Sequence, residues 1–343
     1  MGYKCKLCPS KAVIYMRQHR LALCSGCYVQ WFAKQTQRSI SEMRMLRRDE
    51  RVLVAVSGGK DSLSLWYVLS ELGYDAEGLY IDLGISDLGY SERSKTYAMH
   101  LADKLMRPLH IVSVSKSVGK AIPELVRRSD RSPCSLCGLI KRYIMNRFAI
   151  EGGFDVLATG HNLDDEAATL LSNVLHWQVG YLARQSPILM ERDGFVRRIK
   201  PFYRFTEKET ALYALLNGIA YIEDECPYSV DATTIFLKGI LNQLEERMPG
   251  TKLQFYNNFL AHARELFERE QAPKVQLRQC SICSMPTAEC VCAFCRAIER
   301  VGGTFVGLNV VRYEPKQCGA SSQSTKAAMT AEGDDNGEQC RLA

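Results

Sequence analysis

With 343 residues, 46% of them hydrophobic and 24% charged, the chain has the composition of a globular protein with one sizeable core and small appendages. No apolar run approaches a membrane span, and residues 1–20 lack the apolar stretch of a secretion signal, so a cytoplasmic protein with no membrane partner is expected. The net charge of +6 is carried by clustered basic residues, which suits a polyanion better than a small acidic molecule.

Many of the fourteen cysteines fall in C-x-x-C pairs, which in a reducing compartment signal metal or redox chemistry rather than disulfides. Cys5-x-x-Cys8 and Cys24-x-x-Cys27, fifteen residues apart, form a four-thiolate zinc pattern. Residues 1–30 are too few to build a core, so the metal organises them. Four cysteines fill such a site and leave His19 at the surface. Residues 28–50 read as a helix bearing Lys34, Arg38, Arg44, Arg47 and Arg48, with 31–50 as a basic linker. That face is either solvated or laid against an RNA backbone.

Strand 52–56 is wholly apolar and therefore buried on both faces. The turn Ser57-Gly58-Gly59-Lys60-Asp61-Ser62 follows, and then helix 62–72. Strand, glycine turn and helix N-terminus make an anion cradle of backbone N–H groups, to which Lys60 adds charge and Ser57 and Ser62 add hydroxyls. The spacing is not that of the NTPase P-loop. Strand 76–81 ends in Asp82, helix 91–106 leads to strand 109–114, and a basic segment covers 116–131. Helix 138–150, strand 155–159 and helix 164–176 follow. Strands separated by helices predict an α/β fold, a doubly wound parallel sheet with its ligands beyond the carboxyl ends of the strands. Ser57, Asp82 and Gly160 then share one rim.

Cys134-x-x-Cys137 opens a helix, where the dipole favours a thiolate. Gly160-His161-Asn162-Leu163-Asp164-Asp165 brings carboxylates to the same rim, and Asp164 reads either as one of them or as an N-cap. His161 reads as a hydrogen-bonded or surface residue rather than a ligand. Residues 178–206 are irregular. They mix Arg184, Arg192, Arg197, Arg198, Lys200 and Arg204 with Tyr181, Phe195, Phe202, Tyr203 and Phe205, which fits an RNA loop or a hairpin at Asp193-Gly194 packing its rings inward. Thr206-x-x-Glu209 is a capping box for helix 207–217. Helices 233–248 and 252–270 complete a catalytic domain over 51–272. Cys280-x-x-Cys283 and Cys292-x-x-Cys295 predict a second zinc site within 273–312, with Cys290 spare. Residues 313–343, with Cys318 and Cys340, read as a disordered tail. Cys134, Cys137 and Cys226 remain. They suit either three ligands of an iron–sulfur cluster or a persulfide pair plus a bystander.

Ser57–Ser62 resembles the PP-loop, S-G-G-x-D-S, of the ATP pyrophosphatases, which cleave ATP between the α and β phosphates. Over about residues 1–310, through both zinc elements, this loop, Cys134, Cys137 and Cys226, the chain resembles the tRNA 2-thiouridine synthetases of the TtuA type. The all-cysteine first zinc site departs from relatives with a histidine at its last position, and either set holds zinc. The resemblance implies a HUP-like PP-loop fold flanked by N- and C-terminal zinc ribbons, and adenylation of uridine O2 with sulfur then displacing AMP. It implies ATP at Ala55, Val56, Ser57, Gly58, Gly59, Lys60, Asp61, Ser62, Asp82, Gly160 and Asp165. Cys134, Cys137 and Cys226 would carry a [4Fe-4S] cluster, and Lys141 and Asp165 would lie near the target base. The implied partners are tRNA, a ubiquitin-like carrier bearing a thiocarboxylate, and a second copy of the chain. Pyrophosphate departure asks for Mg²⁺ beside Asp61. The competing readings are a PP-loop thiolase acting on tRNA cytidine or a small metabolite, and a zinc-ribbon RNA-binding protein with a vestigial nucleotide site.

Overall fold

The computed structural model describes residues 3–192, 194–229, 233–269 and 276–316. The rest of the expected tail, with Cys318 and Cys340, lies outside the described residues. A seven-stranded sheet runs in the spatial order Val310–Tyr313, Leu109–Ser113, Asp75–Asp82, Arg51–Val56, Val156–Thr159, Arg197–Ile199, Ile188–Leu189. Its five inner strands are parallel and both edge strands run antiparallel.

The alternation along the central strand divides the core. Val52, Val54 and Val56 pack with Leu63, Leu65 and Trp66 of helix Lys60–Glu71 on one face. Leu53 points the other way, into a cluster with Ile140, Ile144 and Phe148 of helix Pro133–Glu151. Burial on both faces explains the unbroken apolar run. Gly78 is required here, because a Cβ would lie 2.8 Å from the Trp66 ring.

The N-terminal segment joins the first face. Its hairpin, Ile14–Met16 with Leu21–Leu23, leads into helix Ser25–Glu42, whose Phe32 stacks on Phe205 and Tyr213 at 4.0 and 4.2 Å. Phe202, Tyr203 and Phe205 are fully buried, so these rings pack inward and are not offered to RNA. The C-terminal cysteine segment joins the other face, with Phe294 stacked on Tyr143 at 3.6 Å.

Several elements differ from expectation. The first helix ends at Glu42 rather than at 50, and Arg44 adopts a left-handed backbone, φ +52°. Helix Pro133–Glu151 begins five residues before the expected 138, because Pro133 at its first turn sacrifices no hydrogen bond. Residues 114–127 hold two short helices, Val114–Val118 and Ile122–Arg127. Residues 178–206 contain helix Val179–Arg184 and two sheet strands. The expected helix 252–270 is Thr251–Asn258 continued through a π-helical turn into Arg264–Arg269. Strand Val310–Tyr313 belongs to the main sheet, and Tyr313 and Lys316 are bonded to Asp103. Among the described residues no helix is long and apolar enough to cross a membrane.

Candidate active site

Gly58 sits at φ +80°, and a Cβ there would lie 2.5 Å from the Ser94 carbonyl oxygen. Only glycine permits this turn so close to its neighbour. The turn is braced internally. Ser57 N–H donates to Ser62 Oγ at 3.0 Å, and Ser62 Oγ donates to the Gly59 carbonyl at 3.1 Å. Gly59 caps helix Lys60–Glu71 without a side-chain cap, so N–H groups of the first turn remain available to an anion. Gly160, at the end of the neighbouring strand, presses on this turn: a Cβ would lie 2.8 Å from Ser62 N.

The carboxylates gather around this contact. Asp61 accepts from Asn162 Nδ2 at 3.2 Å, from Thr210 Oγ1 and from Lys60 Nζ at 3.2 Å. Lys60 is shared with Glu207 at 2.6 Å. The cap of helix Leu163–Leu175 is Asn162, in a reciprocal box with Asp165. Asp164 is not the cap: it is buried, paired with buried Lys252, and accepts from Glu207 N–H at 2.8 Å. Asp165 meets Lys238 Nζ at 2.6 Å. Burial pushes the Asp61 carboxyl above its ordinary value, and the nearby Asp165 charge adds to this. For Asp165, burial also acts upward but is outweighed by Lys238 and His161, which hold the carboxyl below its ordinary value. His161 is accessible to solvent and hydrogen-bonded to Thr159 Oγ1 at 2.9 Å. Surrounding protein and then Lys200 hold its imidazole below the usual range.

Asn162, Glu207, Thr210 and Lys238 were not legible as site residues. The capping box at Thr206 marked where a helix starts, but nothing in the linear pattern points its first turn at Lys60, 147 positions earlier. Asp82 lies at the end of its strand as expected, accepting from Gly84 N–H at 3.0 Å. A cavity of about 510 Å³ touches Lys60 and Glu207 but neither the cradle serines and glycines nor Asp61 or Asp165; it lies against the N-terminal hairpin and is not the nucleotide recess.

Cys134 Sγ lies 3.6 Å from the Tyr228 carbonyl oxygen, which brings the Cys134 end of its helix against the Cys226 segment. Cys134 and Cys137 occupy the first turn of helix Pro133–Glu151. The segment carrying Cys226 is tied to the cradle by Ile222 N–H donating to the Gly58 carbonyl at 2.9 Å, and by an Arg93–Asp224 ion pair. Burial raises the Cys137 thiol, and the Cys226 and Cys134 charges raise it further against the opposing effect of Lys141. Lys141 is exposed, and its charge acts on His161 as well. Thiolates converging on a helix start from two segments are soft donors of the kind an iron–sulfur cluster takes. Cys290, by contrast, contacts Arg278 in the C-terminal segment, 3.8 Å from its Nη1.

The two terminal sets close more tightly. Cys5, Cys8, Cys24 and Cys27, and Cys280, Cys283, Cys292 and Cys295, each bring four sulfurs within 4.8 Å of one another. Among the described residues, only these sets close so far. Burial acts to raise Cys5, but backbone hydrogen bonds from Cys24 and Leu7 lower it to about 6. Cys27 is pushed up to about 12, first by its hydrogen bond with Cys24. Four sulfurs at this spacing in each set fit tetrahedral zinc. His19 bonds Glu209 at 3.0 Å and takes no part.

Residues 32–243 match the family model of the PP-loop domain, and residues 4–29 match that of the 2-thiouridine synthetase TtuA N-terminal LIM domain. The chain is 48% identical to the tRNA-5-methyluridine(54) 2-sulfurtransferase of Pyrococcus horikoshii, over 85% of this chain and 93% of that one. It is 50% identical to the protein of the same description from Thermus thermophilus, over 87% and 91%. The chain belongs to the TtuA-type tRNA 2-sulfurtransferase family. Within a wider circle of this family's structural relatives, the solved U34-tRNA thiolase NcsA from Methanococcus maripaludis with its [4Fe-4S] cluster superposes with a TM-score of 0.73 at 27% identity, covering 86% of this chain and 95% of that one. The family's PP-loop domain spans the cradle, Asp165 and all three central thiols.

Proposed function

We propose that the chain is an ATP-dependent tRNA 2-sulfurtransferase that converts O2 of 5-methyluridine 54 to sulfur, with release of AMP and pyrophosphate. What supports this is proximity: Asn162, the cap paired with Asp165, donates to Asp61 of the cradle turn, and the charge of Lys141 acts on both Cys137 and His161. Relatives near 50% identity, described by position 54, favour that nucleoside over the wobble position of the more distant NcsA.

The cradle N–H groups and helix dipole suit the β and γ phosphates. Lys60 supplies a charge as pyrophosphate leaves. Asp165, kept ionised by Lys238, is suited to accept the N3 proton of the base as O2 forms a bond to the α phosphorus and the α–β bridge breaks. Lys141 is suited to steady the charge that develops near C2 as sulfur adds and AMP departs. Cys134, Cys137 and Cys226 would hold the [4Fe-4S] cluster, which when bound supplies an open iron position for a soft sulfur ligand. Asp61 would hold Mg²⁺, which when bound offsets phosphate charge. The two terminal cysteine sets would each hold a zinc ion that fixes its segment. Sulfur would come from a carrier protein with a C-terminal thiocarboxylate, and the working form would be a cytoplasmic homodimer. The remaining site assignments, Ala55, Val56 and Asp82 among them, belong to the ATP site in this reading.

Product analysis with labelled ATP and unmodified tRNA tests it. AMP and pyrophosphate, appearing with 2-thio-5-methyluridine by nucleoside mass spectrometry, are expected. ADP and phosphate would exclude the PP-loop assignment, and a thiolated wobble uridine would move the target.

A further inference from the structure

Six basic side chains lie between 184 and 204, and most are committed within the protein. Arg197 pairs with Glu50, Lys200 with Glu166 at 2.7 Å, and Arg204 with Glu42 at 2.6 Å. Arg184 donates to the Gly180 carbonyl and lies over the Tyr181 ring. Arg198 has no acidic partner among the described residues. It follows Arg197 on a strand and so faces the opposite side of the sheet, toward helix Pro133–Glu151. Arg142 of that helix is exposed and equally without an acidic partner among the described residues. Its guanidinium folds back over Gly138, where a Cβ would lie 3.0 Å from Nη1, and its charge acts on Cys137. Both arginines line one cavity of about 250 Å³, closed on its far side by the C-terminal cysteine segment. Asn146 lines it too, 2% exposed, with neither amide atom paired to protein. Burial, and then Arg142, hold the Arg198 guanidinium below its usual value, as two like charges facing one space require.

We propose that Arg142, Arg198 and Asn146 form a phosphate subsite that grips one backbone phosphate of the RNA beside the target nucleoside. Paired guanidinium forks match phosphate oxygens bidentately, and the Asn146 amide adds a donor. The half-buried Phe195 ring on the cavity wall offers a face to a neighbouring base. The proximity of Arg142 to Cys137 keeps the gripped phosphate close to the reacting nucleotide. The inference rests on the tRNA reading above.

The test uses full-length, cluster-reconstituted protein and tRNA binding across a salt series. Arg142→Ala and Arg198→Ala should each weaken binding by about tenfold, and the double alanine variant should reduce the slope of log K against log salt by about one. Iron content and ATP affinity should stay unchanged. Arg142→Lys and Arg198→Lys should keep the slope while losing part of the affinity, and Asn146→Asp should weaken binding by repulsion. Wild-type affinity and slope in the double alanine variant would overturn the subsite. So would a double variant that binds tRNA normally but loses only carrier-delivered sulfur, not free sulfide, since the cavity would then serve a protein tail. Saturable binding of inorganic phosphate lost in the double variant, with tRNA unaffected, would likewise give the site to a free anion. Failure of the wild type to bind tRNA would instead overturn the functional reading itself.

Discussion

Asp61 and Asp165 are the same functional group on the same rim, yet their surroundings push them in opposite directions. Lys238 makes much of the difference, because its ammonium lies 2.6 Å from Asp165. The sign follows directly. A lowered carboxyl loses its proton at a lower pH than it does unfolded, so the benefit of the pair is present above the unfolded value and disappears as pH falls through the folded one. Removing Lys238 raises the Asp165 value. Lys238→Met should therefore move the acid limb of the thiolation rate profile to higher pH, while an Arg at 238 should restore it. An unmoved acid limb would separate Asp165 from proton transfer. Gly160 poses a steric question at the same scale. Gly160→Ala forces Cβ against Ser62 N, 2.8 Å away, and backbone must give. A cost of about 1–3 kcal/mol is usual for such overpacking. It should appear as roughly tenfold weaker ATP binding in calorimetry, with a native circular dichroism spectrum.

The rim that carries the candidate site is an assembly of helix starts. Helices Lys60–Glu71, Pro133–Glu151 and Leu163–Leu175 all begin there, as right-handed crossovers in a parallel sheet demand. The segment with Cys226 has no such reason to be present, and two anchors place it: the Ile222–Gly58 backbone bond and the Arg93–Asp224 pair. A persulfide route needs one attacking and one resolving thiol and leaves Cys226 expendable, whereas a cluster needs all three. Cys226→Ala, reconstituted anaerobically, should lose both its iron and its thiolation with sulfide as donor. Full activity without iron would establish the persulfide route.

The molecule as a whole is a sandwich: helices Ser25–Glu42 and Lys60–Glu71 on one face of the sheet, helix Pro133–Glu151 and the C-terminal cysteine segment on the other. The chain returns after that segment to add strand Val310–Tyr313 to the edge strand Leu109–Ser113. Without it, the edge Leu109–Ser113 would stand unpaired, a template for association. A chain ended at residue 304 should lose the ladder bonds, each about 0.5–1.5 kcal/mol net. A lower thermal midpoint and larger species in light scattering are expected. An unchanged midpoint with monodisperse protein would show that the strand is dispensable.

What depends on neighbours in the chain is legible from residue order. The buried strand 52–56, the Gly58-Gly59 turn, the two four-cysteine sets and the Thr206 capping box are local patterns. Each is fixed by backbone sterics, hydrogen-bond spacing or metal geometry within a few tens of residues, and the structure keeps them all. Which charges are free follows from the packing of distant segments. Arg47 and Arg197 look available to RNA as sequence, yet both are tied to Glu50. Asp164 looks like a cap, yet Asn162 caps and Asp164 holds Lys252. A charged side chain has no periodicity that declares its partner. Its pairing depends on which distant surfaces the packing of apolar faces brings together, and here that choice locks Arg197 inward and leaves Arg198, one residue on, facing the open cavity.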